Sequence, residues 1–174
     1  MHRYFACLAT CLLLAACSSP NAPQKASSGA AGPASTAATS ASPNSAKTGA
    51  RNVVERFGKQ MQEISVLAPP PAVREELPKV YGDVLSPDLL AKWQAHPDQT
   101  IGREGSSPWP SGIEIQNVDC AQPDACHVTG KVDYITSNEV AHGGVFMRRA
   151  ITLDVKHTSA GWRIDAVQLA PAHE

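Results

Sequence analysis

The first 50 residues of the chain lack acidic side chains, and the rest of the chain lacks a basic run. All 16 Asp and Glu residues follow Ala50, whereas three of the 15 Lys and Arg residues (Arg3, Lys25 and Lys47) precede it. The part of the chain after Ala50 therefore carries a net charge of about −4. Nucleic-acid binding normally requires a basic patch, so we expect no nucleic-acid partner.

The apolar run near the N-terminus lacks the length of a membrane span. Phe5 to Ala16 is interrupted only by Thr10, whereas a helix that crosses about 30 Å of hydrocarbon needs roughly 20 apolar residues. A positively charged start, Met1-His2-Arg3, precedes the run. A charged start, a short apolar core and small residues before a cleavage point are typical of a secretory signal peptide.

The end of this signal, Leu14-Ala15-Ala16-Cys17, resembles the bacterial lipobox. The resemblance implies that residues 1–16 are removed and that Cys17 carries a diacylglycerol, with fatty acyl chains such as palmitate. Several acyl chains hold a protein on a membrane almost permanently. In the lipoprotein pattern, Ser18 after the cysteine implies an outer membrane facing the periplasm. The alternative is an ordinary signal peptide in which Cys17 takes no part.

Few cysteines remain for the folded part of the chain once the signal peptide and Cys17 are set aside. Cys7 and Cys11 leave with the signal peptide and Cys17 takes the lipid, so that Cys120 and Cys126 remain in an exported, oxidising compartment. We predict that these two form a disulfide. A metal site would need further ligands than the adjacent histidine, and free thiols are the remaining alternative. We therefore expect no metal and no cofactor.

Residues 18–50 lack aromatic residues and any apolar residue larger than alanine. Such a stretch cannot bury enough surface to offset the entropy of ordering. We predict a disordered Ala/Ser/Pro tether over residues 17–50, beginning at the lipidated cysteine, and one folded domain over residues 51–174.

Three helical segments are predicted at the start of this domain. Over 51–67, apolar residues recur at three- and four-residue spacing, which is typical of an amphipathic helix. Over 72–82 a second helix contains Pro78, which either kinks it or begins a new short helix. Ser86 followed by a proline is typical of the capped start of a third helix.

The remaining sequence predicts four β-strands, since apolar residues alternate with polar ones along it. Short connections between the strands favour an antiparallel meander. The alternation changes phase between Ile115 and Val118 and again between Ile164 and Val167, which predicts bulges. Helices followed by an antiparallel sheet indicate an α+β domain with the helices on one face of a bent sheet. The predicted strands are 112–119, 126–137, 145–157 and 162–169.

Several stretches resemble bacterial members of the NTF2-like (cystatin-like cone) fold, over about residues 51–170. They are Leu85 to Trp93, Gly102-Arg103, Ser106-Ser107-Pro108-Trp109-Pro110 and Val132 to Ser137. The resemblance implies three helices packed on a curved four-stranded meander, with a pocket between the helices and the concave face. Some proteins of this fold are isomerases or dehydratases, and many only bind or dimerise.

Two residues are candidates for the wall of such a pocket. Tyr134 shares a strand face with buried-type valines, and Arg149 shares one with Met147 and Ile151. Tyr134 is either a pocket group or a core residue with a satisfied hydroxyl. Arg149 either binds an anionic ligand or pairs with a buried acid, or it covers apolar surface with its stem at a bend.

The loop before the first strand offers Arg103, Glu104 and Trp109 as a possible rim for a ligand or partner. The alternative is that Arg103 braces the loop by hydrogen bonds to carbonyls. The chain shows no phosphate-binding loop, nucleophile triad or paired carboxylates at recognisable spacing, so catalytic residues are unknown.

The function that these patterns favour is a non-enzymatic binding module held at the membrane by its lipid. Its partner would be a small apolar or anionic ligand, an envelope protein or a second copy of the chain. The alternatives are a small-molecule enzyme that uses Tyr134 and Arg149, and an accessory factor of an envelope assembly.

Overall fold

The computed structural model describes residues 43–171. The predicted signal peptide, Cys17 and residues 18–42 of the predicted tether lie outside the described residues. The described elements, in chain order, are α1 Pro43–Gln60, α2 Pro70–Tyr81, α3 Pro87–Ala95, a 3-10 turn Pro97–Gln99, β1 Trp109–Gln122, β2 Ala125–Ile135, α4 Ser137–His142, β3 Met147–Thr158 and β4 Gly161–Leu169. The predicted α+β class is confirmed.

The four strands form one antiparallel sheet in the order β1-β2-β3-β4. Each strand therefore pairs with its neighbour in sequence, and the predicted meander is confirmed. The register of β1 shifts between Ile115 and Asn117, where the first phase change predicted a bulge. In β4, Ile164 and Ala166 pair with consecutive residues of β3, so that Asp165 is the extra residue of a bulge. Two further register shifts in β1, after Pro110 and after Asp119, were not predicted. Bulges of this kind bend and twist a strand.

The core lies between the helices and one face of the sheet. At its centre three aromatic rings contact one another, with centroids of Phe57, Tyr81 and Trp93 separated by 5.2 to 6.3 Å. From the sheet, Val128 and Ile151 point into the same cluster. Burying each large apolar side chain contributes about 1.5–3 kcal/mol, so this contact of helices and sheet is the main source of the domain's stability.

Helix α1 begins at Pro43, eight residues before the start predicted at Arg51. Residues 43–50, which composition assigned to the tether, are helical, and Ala46 and Ala50 are fully buried. The prediction was wrong here because small residues, which resemble linker composition, allow a helix to lie close to the sheet. The helix also ends at Gln60 rather than Leu67, and residues 61–63 form a turn.

Helix α2 continues through Pro78. Proline cannot donate the hydrogen bond to the carbonyl four residues earlier, which here belongs to Arg74. That carbonyl accepts instead from the side chain of Gln94 in α3, at 3.5 Å, and Arg74 Nε donates to the Gln94 carbonyl at 2.7 Å. A neighbouring helix thus supplies a partner for the carbonyl that Pro78 leaves open.

The start of α3 follows the prediction. Ser86 lies outside the helix, and its side chain accepts a hydrogen bond from the backbone of Leu89 at 3.2 Å. Pro87 occupies the first turn.

The short helix α4 occupies part of the segment that the sequence analysis assigned to a connecting loop. Thr136 and Glu139 form a reciprocal capping box at its start, and Gly143 and Gly144 adopt positive φ angles of 80° and 98° at its end. The spacing Thr-x-x-Glu is the signal that sequence analysis missed.

Candidate functional site

A cavity of about 270 Å³ opens at the end of the sheet where β2 finishes and β3 begins. We call it the Arg149 cavity. One side is formed by the sheet and the other by the loop that precedes β1. The residues that line it are Glu104, Gly105, Ser107, Pro108, Tyr134, Met147 and Arg149.

The register of the sheet brings two predicted candidates to this cavity. Tyr134 pairs with Met147 across β2 and β3, and Val132 pairs with Arg149. Directly paired residues of an antiparallel sheet point to the same face, and Val132 is fully buried. Tyr134 and Arg149 therefore both lie on the core side, and Tyr134 is 3% exposed.

The Arg149 guanidinium is held by three groups. Nε donates to the Ala170 carbonyl at 2.8 Å, and Nη1 donates to the Tyr134 hydroxyl at 3.2 Å. Nη1 also lies 2.7 Å from Oε1 of Glu104. The side chain of Arg149 is 11% exposed, whereas that of Glu104 is 52% exposed. Arg149 thus pairs with an acid, but this acid is half-exposed rather than buried as the prediction had it.

Burial raises the pKa of the Tyr134 hydroxyl above its ordinary value. The nearby positive charge of Arg149 lowers this pKa, and the carboxylate of Glu104 raises it. The hydroxyl is therefore neutral at physiological pH. Because it accepts a hydrogen bond from Arg149, its own hydrogen can donate to another group.

The loop that carries Glu104 is fixed at its start by backbone contacts. The amide of Arg103 donates to the Ile64 carbonyl at 2.7 Å, and the Arg103 carbonyl accepts from Val66 at 3.1 Å. The buried Tyr81 hydroxyl donates to the Ile101 carbonyl at 2.8 Å. Glu104 follows Arg103 in the chain, so these hydrogen bonds fix the backbone next to it.

The other two predicted rim residues lie away from the lining of this cavity. The side chain of Arg103 is exposed, and the bracing expected of it comes from its backbone. Trp109 begins β1, where it pairs with Ile135 and is partly buried. Sequence analysis also missed two contributors, Met147 as a lining residue and the Ala170 carbonyl as the acceptor of Nε. The second of these is a backbone group and has no residue-type signal.

Cys120 and Cys126 form a disulfide between β1 and β2, as predicted. It lies at the end of β2 away from Tyr134, roughly 26 Å along the strand at about 3.3 Å per residue. The cross-link therefore stabilises the far end of the hairpin, and the Arg149 cavity is held together by other contacts.

Other titratable groups of the described residues do not assemble into a metal centre. Among residues 43–171, no three His, Cys, Asp or Glu side chains are grouped so that they could hold a metal ion. His127 contacts the exposed carboxylate of Asp154 at 2.8 Å, and the ring of His157 lies against Trp162 with centroids 5.2 Å apart.

A second cavity, of about 460 Å³, lies between α3 and β4 and has mainly polar walls.

Comparisons with known proteins assign no family to the chain. No family model and no curated protein matches it. A solved structure that resembles it is the intermembrane space region of the chloroplast protein ARC6, at 18% identity and a TM-score of 0.43. The match covers 71% of this chain and 97% of that one, and it is too weak to assign a fold family. Within the described part of the chain, no helix has both the length and the apolar character to cross a membrane.

Proposed function

We propose that this protein is a lipid-anchored lipoprotein of the cell envelope whose folded domain is a non-enzymatic, NTF2-like binding module. The lipid on Cys17 holds it at the membrane, on the outer membrane facing the periplasm. The Leu-Ala-Ala-Cys sequence after a short apolar run supports this location. The disulfide between Cys120 and Cys126 agrees with an oxidising compartment.

The order of elements supports the NTF2-like assignment. Three helices precede a four-stranded antiparallel meander; α1 and α3 contact the sheet, and α2 packs on these two helices. The sheet has three register shifts in the pairing of β1 with β2 and one in that of β3 with β4, and such irregularities bend and twist strands. A cavity remains at the open end between the sheet and the loop before β1.

The chemistry of the Arg149 cavity is the observation that carries a binding function rather than a catalytic one. An efficient general acid or base has a pKa near the operating pH. Burial moves the pKa of Tyr134 further from neutrality, and an arginine side chain stays protonated in proteins. Glu104, the remaining titratable lining group, is hydrogen-bonded to Arg149 at 2.7 Å. Such a set positions a ligand through charge and hydrogen bonds.

The location is tested by labelling cells with an alkyne fatty acid and fractionating them. The wild-type chain should carry the label and remain with the membrane, and mass spectrometry should find its N-terminus at Cys17. The Cys17→Ser variant should lose the label, whereas the control variant Cys11→Ser should keep it. Label retained by Cys17→Ser would contradict the proposal.

A further inference from the structure

We infer that the Arg149 cavity is a binding site for a small apolar molecule that carries a carboxylate, and that Glu104 occupies the carboxylate position in the free protein. The inference rests on the proposed binding function and deepens it by naming the ligand class. It also assigns Glu104 a role as an internal competitor.

Arg149 is prepared to receive an anion. Its Nε and Nη1 are hydrogen-bonded to the Ala170 carbonyl and the Tyr134 hydroxyl, which fix the plane of the guanidinium. Both partners are neutral, so they do not compensate its charge. A cation that is 11% exposed has lost much of its hydration and requires an anion nearby. The planar fork of N–H donors in a guanidinium matches the two oxygens of a carboxylate.

Glu104 supplies that anion from the loop rather than from the core. Among the residues that line the cavity, it alone is acidic. Its side chain is 52% exposed, and Gly105 and Ser106 follow it, so that its carboxylate can turn into solvent while the backbone at Arg103 stays in place. Ion pairs with an exposed partner are weak, and a ligand carboxylate can therefore replace this one.

The rest of the cavity is suited to an apolar body. Met147, Pro108 and the ring of Tyr134 line it beside the guanidinium. Its volume of about 270 Å³ lies just below the range for ligand pockets, which is roughly 300–1,000 Å³, so only a small molecule fits. The hydrogen of the Tyr134 hydroxyl provides a second donor for the carboxylate. These features favour a small aryl or alkyl carboxylate over a large polyanion.

The test uses the mature chain, residues 17–174, with Cys17→Ser, which cannot be lipidated. Hydrocinnamate is titrated into it, and hydrocinnamamide serves as the neutral probe of equal shape. Heteronuclear NMR follows the backbone amides of Gly105, Ser107 and Met147. We expect hydrocinnamate to shift these amides in a saturable way and to bind about 10- to 100-fold more tightly than the amide, as charged hydrogen bonds predict.

Three variants separate the roles of the charges. Glu104→Gln should bind hydrocinnamate about two- to five-fold more tightly, because the internal competitor is removed. Arg149→Met should lose about 10- to 100-fold in affinity. Arg149→Lys keeps the charge but not the planar fork, so its affinity should lie between those of the parent and Arg149→Met. Arg148→Gln is the matched control, since Arg148 lies on the opposite face and contacts Asp133 at 2.8 Å. It should bind as the parent does.

Each contrary result has a distinct meaning. Equal affinity for hydrocinnamate and hydrocinnamamide would overturn the carboxylate preference but leave a binding cavity. Unchanged or weaker binding by Glu104→Gln would overturn the competitor role. Absence of shifts with both probes would overturn the whole inference, while the lipid attachment proposed above would stand or fall on the labelling experiment alone.

Discussion

The indole ring of Trp162 lies directly against the backbone of Gly49. A Cβ atom built at position 49 would overlap Nε1 and Cδ1 of the indole. This contact joins the first turns of α1 to β4, and it explains why a residue with poor helix propensity stands inside a helix.

Gly49→Ala should therefore destabilise the domain, although alanine favours a helix by about 1 kcal/mol over glycine. Overpacking costs about 1–3 kcal/mol, so we expect a lower free energy of unfolding in urea. Arg51→Ala, at an exposed position of the same helix, is the control and should change stability by less than about 0.5 kcal/mol. A Gly49→Ala variant more stable than the wild type would show that this part of α1 is not docked.

Tyr81→Phe should destabilise the protein by about 1 kcal/mol, because it leaves the Ile101 carbonyl without its hydrogen bond. The amides that follow Ile101 should also exchange faster with solvent, since the loop before β1 loses a fixed point. Urea unfolding and hydrogen exchange measure the two effects. Tyr134→Phe is the comparison, because Arg149 keeps its bonds to Ala170 and Glu104. Equal exchange in Tyr81→Phe and the wild type would contradict a bracing role.

The disulfide should contribute modest stability without being required for the fold. It closes a short loop, with a sequence separation of 6, for which loop-closure entropy predicts about 2 kcal/mol. The double variant Cys120→Ser/Cys126→Ser should keep the far-ultraviolet circular dichroism of the wild type and unfold at lower urea concentration. Reductant should lower the stability of the wild type and leave the variant unaffected. A double variant that is unfolded in buffer would refute this.

The capping box of α4 should give a measurable pH dependence. The hydrogen bonds from Thr136 and then Asn138 lower the pKa of Glu139 from 4.5 to about 2. Since the folded-state pKa is the lower one, the stabilisation is fully present above pH 4.5 and is lost as the pH falls toward 2. Carbon NMR of the Glu139 carboxyl group should show this titration, and Thr136→Val should move it upward. The same titration midpoint in both proteins would exclude the capping contact.

The strands were predicted more accurately from the sequence than the helices were, for physical reasons. A strand leaves a period of two in its side chains, and two of the four register shifts appeared as phase changes, after Ile115 and after Ile164. The first turns of α1 bury only small residues such as Ala46 and Ala50, and composition cannot separate these from a linker. The six-residue α4 is too short for a hydrophobic period.

The site was predictable only where it depends on one strand. Alternation placed Tyr134 and Arg149 on the inner face, because that follows from the register of side chains along β2 and β3. The ion pair between Glu104 and Arg149 spans 45 residues, and the Ala170 carbonyl is contributed by the backbone after β4. Both depend on the tertiary fold, which no local pattern specifies.

The strand order β1-β2-β3-β4 bears on how the molecule assembles. Each strand after β1 pairs with the strand that precedes it in the sequence, so each pairing closes a short loop at low entropic cost. A chain that emerges from its N-terminus can therefore add one strand at a time, and α1 packs on β1, the first strand to appear. The edge of β3 is the last to be covered, so β4 completes the sheet and shields that edge from other chains.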